Sequence, residues 1–139
     1  MNTLNNTHIK DLRPLVRPAI IIEENPTSEK TAQFIDQTRQ HISRIITGAD
    51  KRLLVVAGPC SIHDVNAALE YADRLKQQAD RFSDALLIIM RVYFEKPRTT
   101  VGWKGLIMDP HLDGTHDIAA GLRFARTFLR DVLDRKSVV

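Results

Sequence analysis

Two short apolar runs, Leu53-Leu54-Val55-Val56-Ala57 and Leu86-Leu87-Ile88-Ile89-Met90, constrain the fold of this chain more than any other feature. Uninterrupted runs of this kind are what strands buried on both faces show. The first is rich in β-branched side chains and is read as a strand over 53–57, the second as a strand over about 86–93. Between them Val65, Ala68, Leu69, Ala72, Leu75, Ala79 and Phe82 recur at the helical period. A second such stripe, Ile118, Leu122, Ala125, Leu129 and Val132, predicts a helix from about Asp117 to Leu133. The order is therefore strand, loop, helix, strand, loop, helix, which argues for parallel strands joined by right-handed crossovers. Gly58 and Pro59 end the first strand, and Asp64, or Ser61 in a Ser-x-x-Asp box, offers a cap for the helix that follows. Both polar loops follow strand carboxyl ends, the face where chemistry gathers in α/β folds. Two strands make neither a barrel nor a sheet with two covered faces, so this chain is expected to hold the beginning of a larger fold.

Residues 1–26 form a leader punctuated by Pro14, Pro18 and Pro26, in which Ala19-Ile20-Ile21-Ile22 suggests one short strand. It has few apolar residues of its own and is expected to pack on the body of the protein or on a second subunit. Thr27 and Ser28 offer N-cap oxygens, and Glu29 suits a first helical turn. A helix is expected from there to about Thr47, burying Phe34 or Ile35, Ile42, Ile45 and Ile46, with Gly48 at its C-terminal stop.

Composition narrows the function classes. At 43% hydrophobic and 27% charged, the 139 residues read as a globular domain, not a disordered or membrane-spanning chain. No apolar run approaches the ~18 residues of a spanning helix, so no membrane association is expected. Polar Met1–Asn6 leads into no apolar segment, so no signal peptide is expected. A single cysteine excludes an internal disulfide and fits a reducing, cytoplasmic setting. The net charge of +3 is accounted for by Met90–Gly105 alone, where Arg91, Lys96, Arg98 and Lys104 face only Glu95. Charge concentrated in one loop past a strand suggests either an anion site or a solvated basic loop. The bases do not line a helix face with interleaved aromatics, so nucleic acid is not expected as a partner.

Two segments carry a specific resemblance: GPCSIHD at 58–64 and MRVYFEKPRTTVGWKGLI at 90–107. Together they resemble the type I 3-deoxy-D-arabino-heptulosonate-7-phosphate synthases, in the bacterial group inhibited by tyrosine, phenylalanine or tryptophan. The related eight-carbon-sugar synthases share the GPC turn but carry a KANRSS-like stretch in place of Lys96-Pro97-Arg98-Thr99. The likeness is close over about Lys51–Leu133 and looser before it; the tail 134–139 is read as departing from the family.

The resemblance implies a (β/α)8 TIM barrel that condenses phosphoenolpyruvate with erythrose 4-phosphate and water, releasing inorganic phosphate, with a divalent metal (manganese, iron, cobalt or zinc) taking part. That reaction opens aromatic amino-acid biosynthesis. It also implies a homo-oligomer, feedback inhibition by an aromatic amino acid, and an organisation into an N-terminal extension (1–48) and the first two β/α units of the barrel (49–139). By the same resemblance Cys60 is a metal ligand, where an unaided reading makes a lone cysteine a small buried hydrophobe. Arg91, otherwise an arginine snorkelling from a sheet rim, binds the phosphate of phosphoenolpyruvate. Lys96 reaches between the substrates as the catalytic cation, and Arg98 and Thr99 hold the sugar phosphate, with Pro97 stiffening the turn. His63 is rejected as a second ligand because Cys-x-x-His is half a site. His111 and His116 receive no role, and Trp103 is expected to pack the loop down. The family is more than twice this length, with its remaining metal ligands downstream, so the chain is read as an amino-terminal portion, inactive alone. The alternative is a non-catalytic phosphate-binding or regulatory partner of a full-length synthase.

Overall fold

The computed structural model describes residues 12–96 and 101–135. In chain order it contains α1 (Pro18–Glu24), α2 (Glu29–Ile46), β1 (Leu53–Ala57), α3 (Val65–Arg81), β2 (Leu86–Met90) and α4 (Ile118–Asp134). β1 and β2 pair in parallel, with Leu53 opposite Leu86 and Ala57 opposite Met90, as the alternation of elements predicts. Strand β2 ends at Met90, three residues short of the sequence expectation, opposite Ala57, where its partner β1 also ends. The architecture is α/β. Among the described residues no helix is long and apolar enough to cross a membrane.

The helix ends follow local chemistry. Ser28 Oγ accepts from the Thr31 N–H at 3.1 Å, and Asp64 Oδ1 accepts from Ala67 N–H at 3.0 Å, so Asp64 rather than Ser61 caps α3. Asp117 does the same for α4 through the Ala120 N–H. At the end of α2, Gly48 (φ +78°) donates to Ile45 O and Ala49 to Arg44 O, the paired bonds of a Schellman stop.

Four expectations are corrected. Ala19–Ile22 is helical, not a strand: Pro18 stands at the first turn of α1, where its fixed φ suits a helix and its missing N–H costs nothing. Ile46 is 73% exposed instead of buried, while Thr31 and Thr38 are the buried residues of α2, because a two-stranded sheet is too narrow to cover the whole apolar stripe. For the same reason the strands are not buried on both faces, and Leu53 and Val56 face solvent. On α3, Phe82 lies past the helix end with the Arg81 guanidinium over its ring.

The core lies at one end of the sheet rather than across it. Ile62 and Leu106, both from loops, pack with Ala68 and Ala72 of α3, Met90 of β2, and Phe128 and Val132 of α4. On α4 the fully covered residues are Gly121, Ala125, Phe128 and Val132. Gly121 belongs there because a Cβ would stand 2.2 Å from Ile107 O, so only glycine lets the loop press on the helix. The leader docks on α4 largely through polar contacts. Glu24 accepts from Arg123 at 2.7 and 2.9 Å, and buried Asn25 accepts through Oδ1 from Thr127 and Arg130. Thr31 Oγ1 donates to Asp134 across the same seam. Within the described residues, α1 and Asn25 of the leader pack on α4 of the same chain.

Candidate active site

The carboxyl ends of β1 and β2 are stitched together before any side chain is considered. The Arg91 N–H donates to Ala57 O at 2.7 Å, extending the ladder by one bond, and the Ile62 N–H donates to Tyr93 O at 2.8 Å. Gly58 allows this approach: a Cβ there would stand 2.2 Å from Arg91 O. Burial of Ile62 and Met90 anchors both loops in the core, so the residues between are held from below.

Three of the residues singled out in the sequence converge here. Cys60 is exposed in this chain. Lys96 Nζ stands 2.6 Å from Cys60 Sγ, bringing together residues 36 positions apart. The lysine is held by its own backbone: its N–H donates to Lys104 O at 2.9 Å, beside the antiparallel bridge between Glu95 and Gly105. Arg91 does not simply snorkel to water. Its Nη1 donates to Pro59 O at 2.8 Å and Cys60 O at 3.0 Å, with the guanidinium carbon 4.8 Å from the centre of the Tyr93 ring. These contacts engage Nη1 and one face, while Nε and Nη2 form the other edge of a fork suited to phosphate oxygens.

Pro97, Arg98 and Thr99 lie outside the described residues. His63 is exposed, and His111 sits 3.8 Å from Asp117 with its ring edge-on to Phe124, away from the cluster. His116 Nδ1 lies 3.4 Å from Met108 O in the same loop. Trp103 packs against the core and donates from Nε1 to Asp109 O at 2.8 Å, which fits its expected role of holding the loop down. Sequence reading missed Tyr93 as a support for Arg91, although an aromatic two positions after an arginine past a strand is the available signal. The apolar groove lined by Phe34, Leu75, Ala79, Leu86 and Ile88 shares no residue with this cluster.

As a metal site the arrangement supplies one donor. An exposed thiol at a strand end suits a soft or borderline divalent ion. Among the described residues, however, no group of three or more His, Cys, Asp and Glu side chains is placed to hold one. Cys60 therefore fits as a single ligand of a set that these residues do not complete.

A parallel β/α pair that gathers a thiol, a lysine and an arginine at its strand carboxyl ends is an α/β protein with its candidate site on the face where such folds bind ligands. The family model of the DAHP synthetase I family matches residues 21–139, and the chain belongs to that family. The match runs to Val139, so the tail 134–139 does not depart from the family as the sequence reading expected. The chain is 53% identical over 133 residues to the Tyr-sensitive phospho-2-dehydro-3-deoxyheptonate aldolase of Escherichia coli (strain K12), covering 96% of this chain and 37% of that protein. It is 51% identical over 135 residues to the Phe-sensitive enzyme of the same strain, covering 96% and 39%. The structure of phospho-2-dehydro-3-deoxyheptonate aldolase from Francisella tularensis SCHU S4 superposes with a TM-score of 0.88 at 47% identity, over 93% of this chain and 38% of that one. The chain thus spans under two-fifths of the length of these relatives.

Proposed function

We propose that these residues form the first two β/α units of a (β/α)8 barrel whose reaction joins phosphoenolpyruvate to erythrose 4-phosphate and water, releasing inorganic phosphate. The observation that carries this reading is the convergence of Cys60, Arg91 and Lys96 at the strand ends, with Lys96 Nζ 2.6 Å from Cys60 Sγ. Arg91 orients the phosphate of phosphoenolpyruvate with the open edge of its fork. Lys96, a point charge on a pinned backbone, sits between the two substrates, and Pro97, Arg98 and Thr99 hold the sugar phosphate. Cys60 is one ligand of a divalent ion (manganese, iron, cobalt or zinc), which when bound supplies Lewis acidity toward the sugar aldehyde. The rest of the ligand set would be supplied by the part of the longer relatives that this chain does not match. The setting is cytoplasmic and the assembly a homo-oligomer. The relatives' Tyr- and Phe-sensitive names support feedback control by an aromatic amino acid.

The test is phosphate release from the two substrates with added manganese. It compares the 139-residue chain with a chimera that continues into the remaining portion of the Escherichia coli Tyr-sensitive relative. Activity is expected in the chimera alone, and its loss on Cys60→Ala or Lys96→Ala. Activity in the short chain, or a folded chimera indifferent to both substitutions, would overturn the assignment.

A further inference from the structure

The contact between Lys96 and Cys60 has a chemical consequence independent of the reaction proposed above. A nitrogen and a sulfur 2.6 Å apart are too distant for a direct covalent bond, yet closer than an ordinary N–H···S contact. One oxygen atom bridging them spans that separation. Both groups are held from behind: Lys96 by its backbone bond to Lys104, and Cys60 by the donation of Arg91 to the Pro59 and Cys60 carbonyls. The thiol is exposed, so a small oxidant can reach it. Pre-positioning of this kind converts a slow encounter between two side chains into an intramolecular step.

We propose that Cys60 and Lys96 form a reversible oxidative cross-link, an N–O–S bridge, when the protein meets a peroxide. The balance needs two peroxide equivalents. The first takes two electrons from sulfur, breaking its O–O bond to leave a sulfenic acid and one water. The second takes two electrons from the lysine nitrogen, leaving a hydroxylamine and a second water. The two hydroxyl groups then condense: an S–O bond forms to the oxygen already on nitrogen, the sulfenic hydroxyl leaves, and a third water is released. Thiol and amine together have lost two hydrogens and gained one oxygen. Two equivalents of a dithiol reverse the change, returning the thiol, the amine and one water. While it persists, the bridge occupies both the sulfur and the amine, so neither is available to a ligand.

The experiment treats the chelator-washed 139-residue chain with hydrogen peroxide and maps protease digests by mass spectrometry, with no substrate and no activity measurement. The expected product is a Cys60 peptide joined to a Lys96 peptide, heavier than their sum by one oxygen less two hydrogens. It should vanish with dithiothreitol, in Lys96→Arg and Cys60→Ser, and when peroxide is added in urea. Circular dichroism on each variant confirms that the fold persists. Three results would overturn the bridge: Cys60 carried on to sulfinic or sulfonic acid with Lys96 unmodified, a joined pair lacking only two hydrogens, or cross-linking undiminished in urea. Because the readout is a mass, it stands or falls separately from the synthase reading.

Discussion

Gly58→Ala tests the claim that a close approach of two backbones builds the site. The added Cβ would stand 2.2 Å from Arg91 O, 2.9 Å from Arg91 Cβ and 3.0 Å from Arg91 C, where ordinary contact begins at 3.4 Å. Two of these three are backbone atoms, which cannot swing aside as a flexible side chain would. The strand ends must part by about 1 Å to relieve the closest of these contacts. That movement strains the bond from the Arg91 N–H to Ala57 O, now 2.7 Å long. Overpacking of this sort costs about 1–3 kcal/mol, and a weakened backbone bond adds about 1 kcal/mol. A total of roughly 2–4 kcal/mol is a large share of the ~5–15 kcal/mol that holds a domain together. Urea unfolding followed by circular dichroism reads the global loss, and hydrogen exchange at the Arg91 amide reads the local one. The amide should exchange about thirty- to a thousandfold faster, since each ~1.4 kcal/mol is tenfold. Gly48→Ala is the control: its Cβ meets nothing within 4 Å, and its cost is the left-handed backbone alone, about 1–2 kcal/mol. A Gly58→Ala chain within about 0.5 kcal/mol of the parent, with the Arg91 amide still protected, would show that the strand ends part without cost.

Two further outcomes follow from the packing and the charges. Phe128 is fully buried and meets Phe94 edge-on at 6.0 Å between ring centres, so Phe128→Ala should lower stability in urea by about 3–5 kcal/mol; a loss below about 1 kcal/mol would show that this end of the molecule repacks freely. The Arg52 side chain and backbone N–H hold the Asp50 carboxyl down to about 2, from an ordinary 3.8. Because the folded value is the lower one, the stabilisation is present above about pH 4 and is lost as the pH falls through about 2. Over that window the unfolding midpoint of the parent should fall more steeply than that of Asp50→Asn, and parallel curves would contradict the linkage.

The strand Leu53–Ala57 and the starts of α2, α3 and α4 were legible because each rests on a local signal: an apolar run, or an oxygen-bearing cap before a periodic stripe. Residues 19–22 misled because three consecutive isoleucines suit a strand, and Pro18 is the outvoted clue to a helix. Ile46 and the solvent-facing strand residues could not be read correctly from pattern alone. An apolar stripe records which face is meant to be covered, whereas exposure depends on how many neighbouring elements are present to cover it. The meeting of Lys96 with Cys60 is a different case. No spacing rule relates two loop residues 36 apart, and their contact follows from strand pairing plus the Ile62–Tyr93 bond.

The sequence left open whether the basic segment was an anion site or a solvated face, and the contacts of its cations bear on that choice. Five arginines, Arg52, Arg74, Arg123, Arg130 and Arg135, each sit against a carboxylate, while Arg81 lies over the Phe82 ring and Arg126 donates to Asn25 O and Thr27 Oγ1. Arg91 contacts two carbonyl oxygens and an aromatic face, and Lys96 contacts a sulfur. Carbonyl dipoles and ring faces orient a guanidinium without cancelling its charge. A solvated face needs no such orientation, because water hydrates a mobile cation at least as well. Fixing the geometry of two cations while leaving their charge in place brings a return only when an anion arrives, since the ordering cost has then been met in advance. The ordering of Arg91 and Lys96 is therefore what the proposed anion site would require, with Gly58, Tyr93 and the Lys96–Lys104 backbone bond around it.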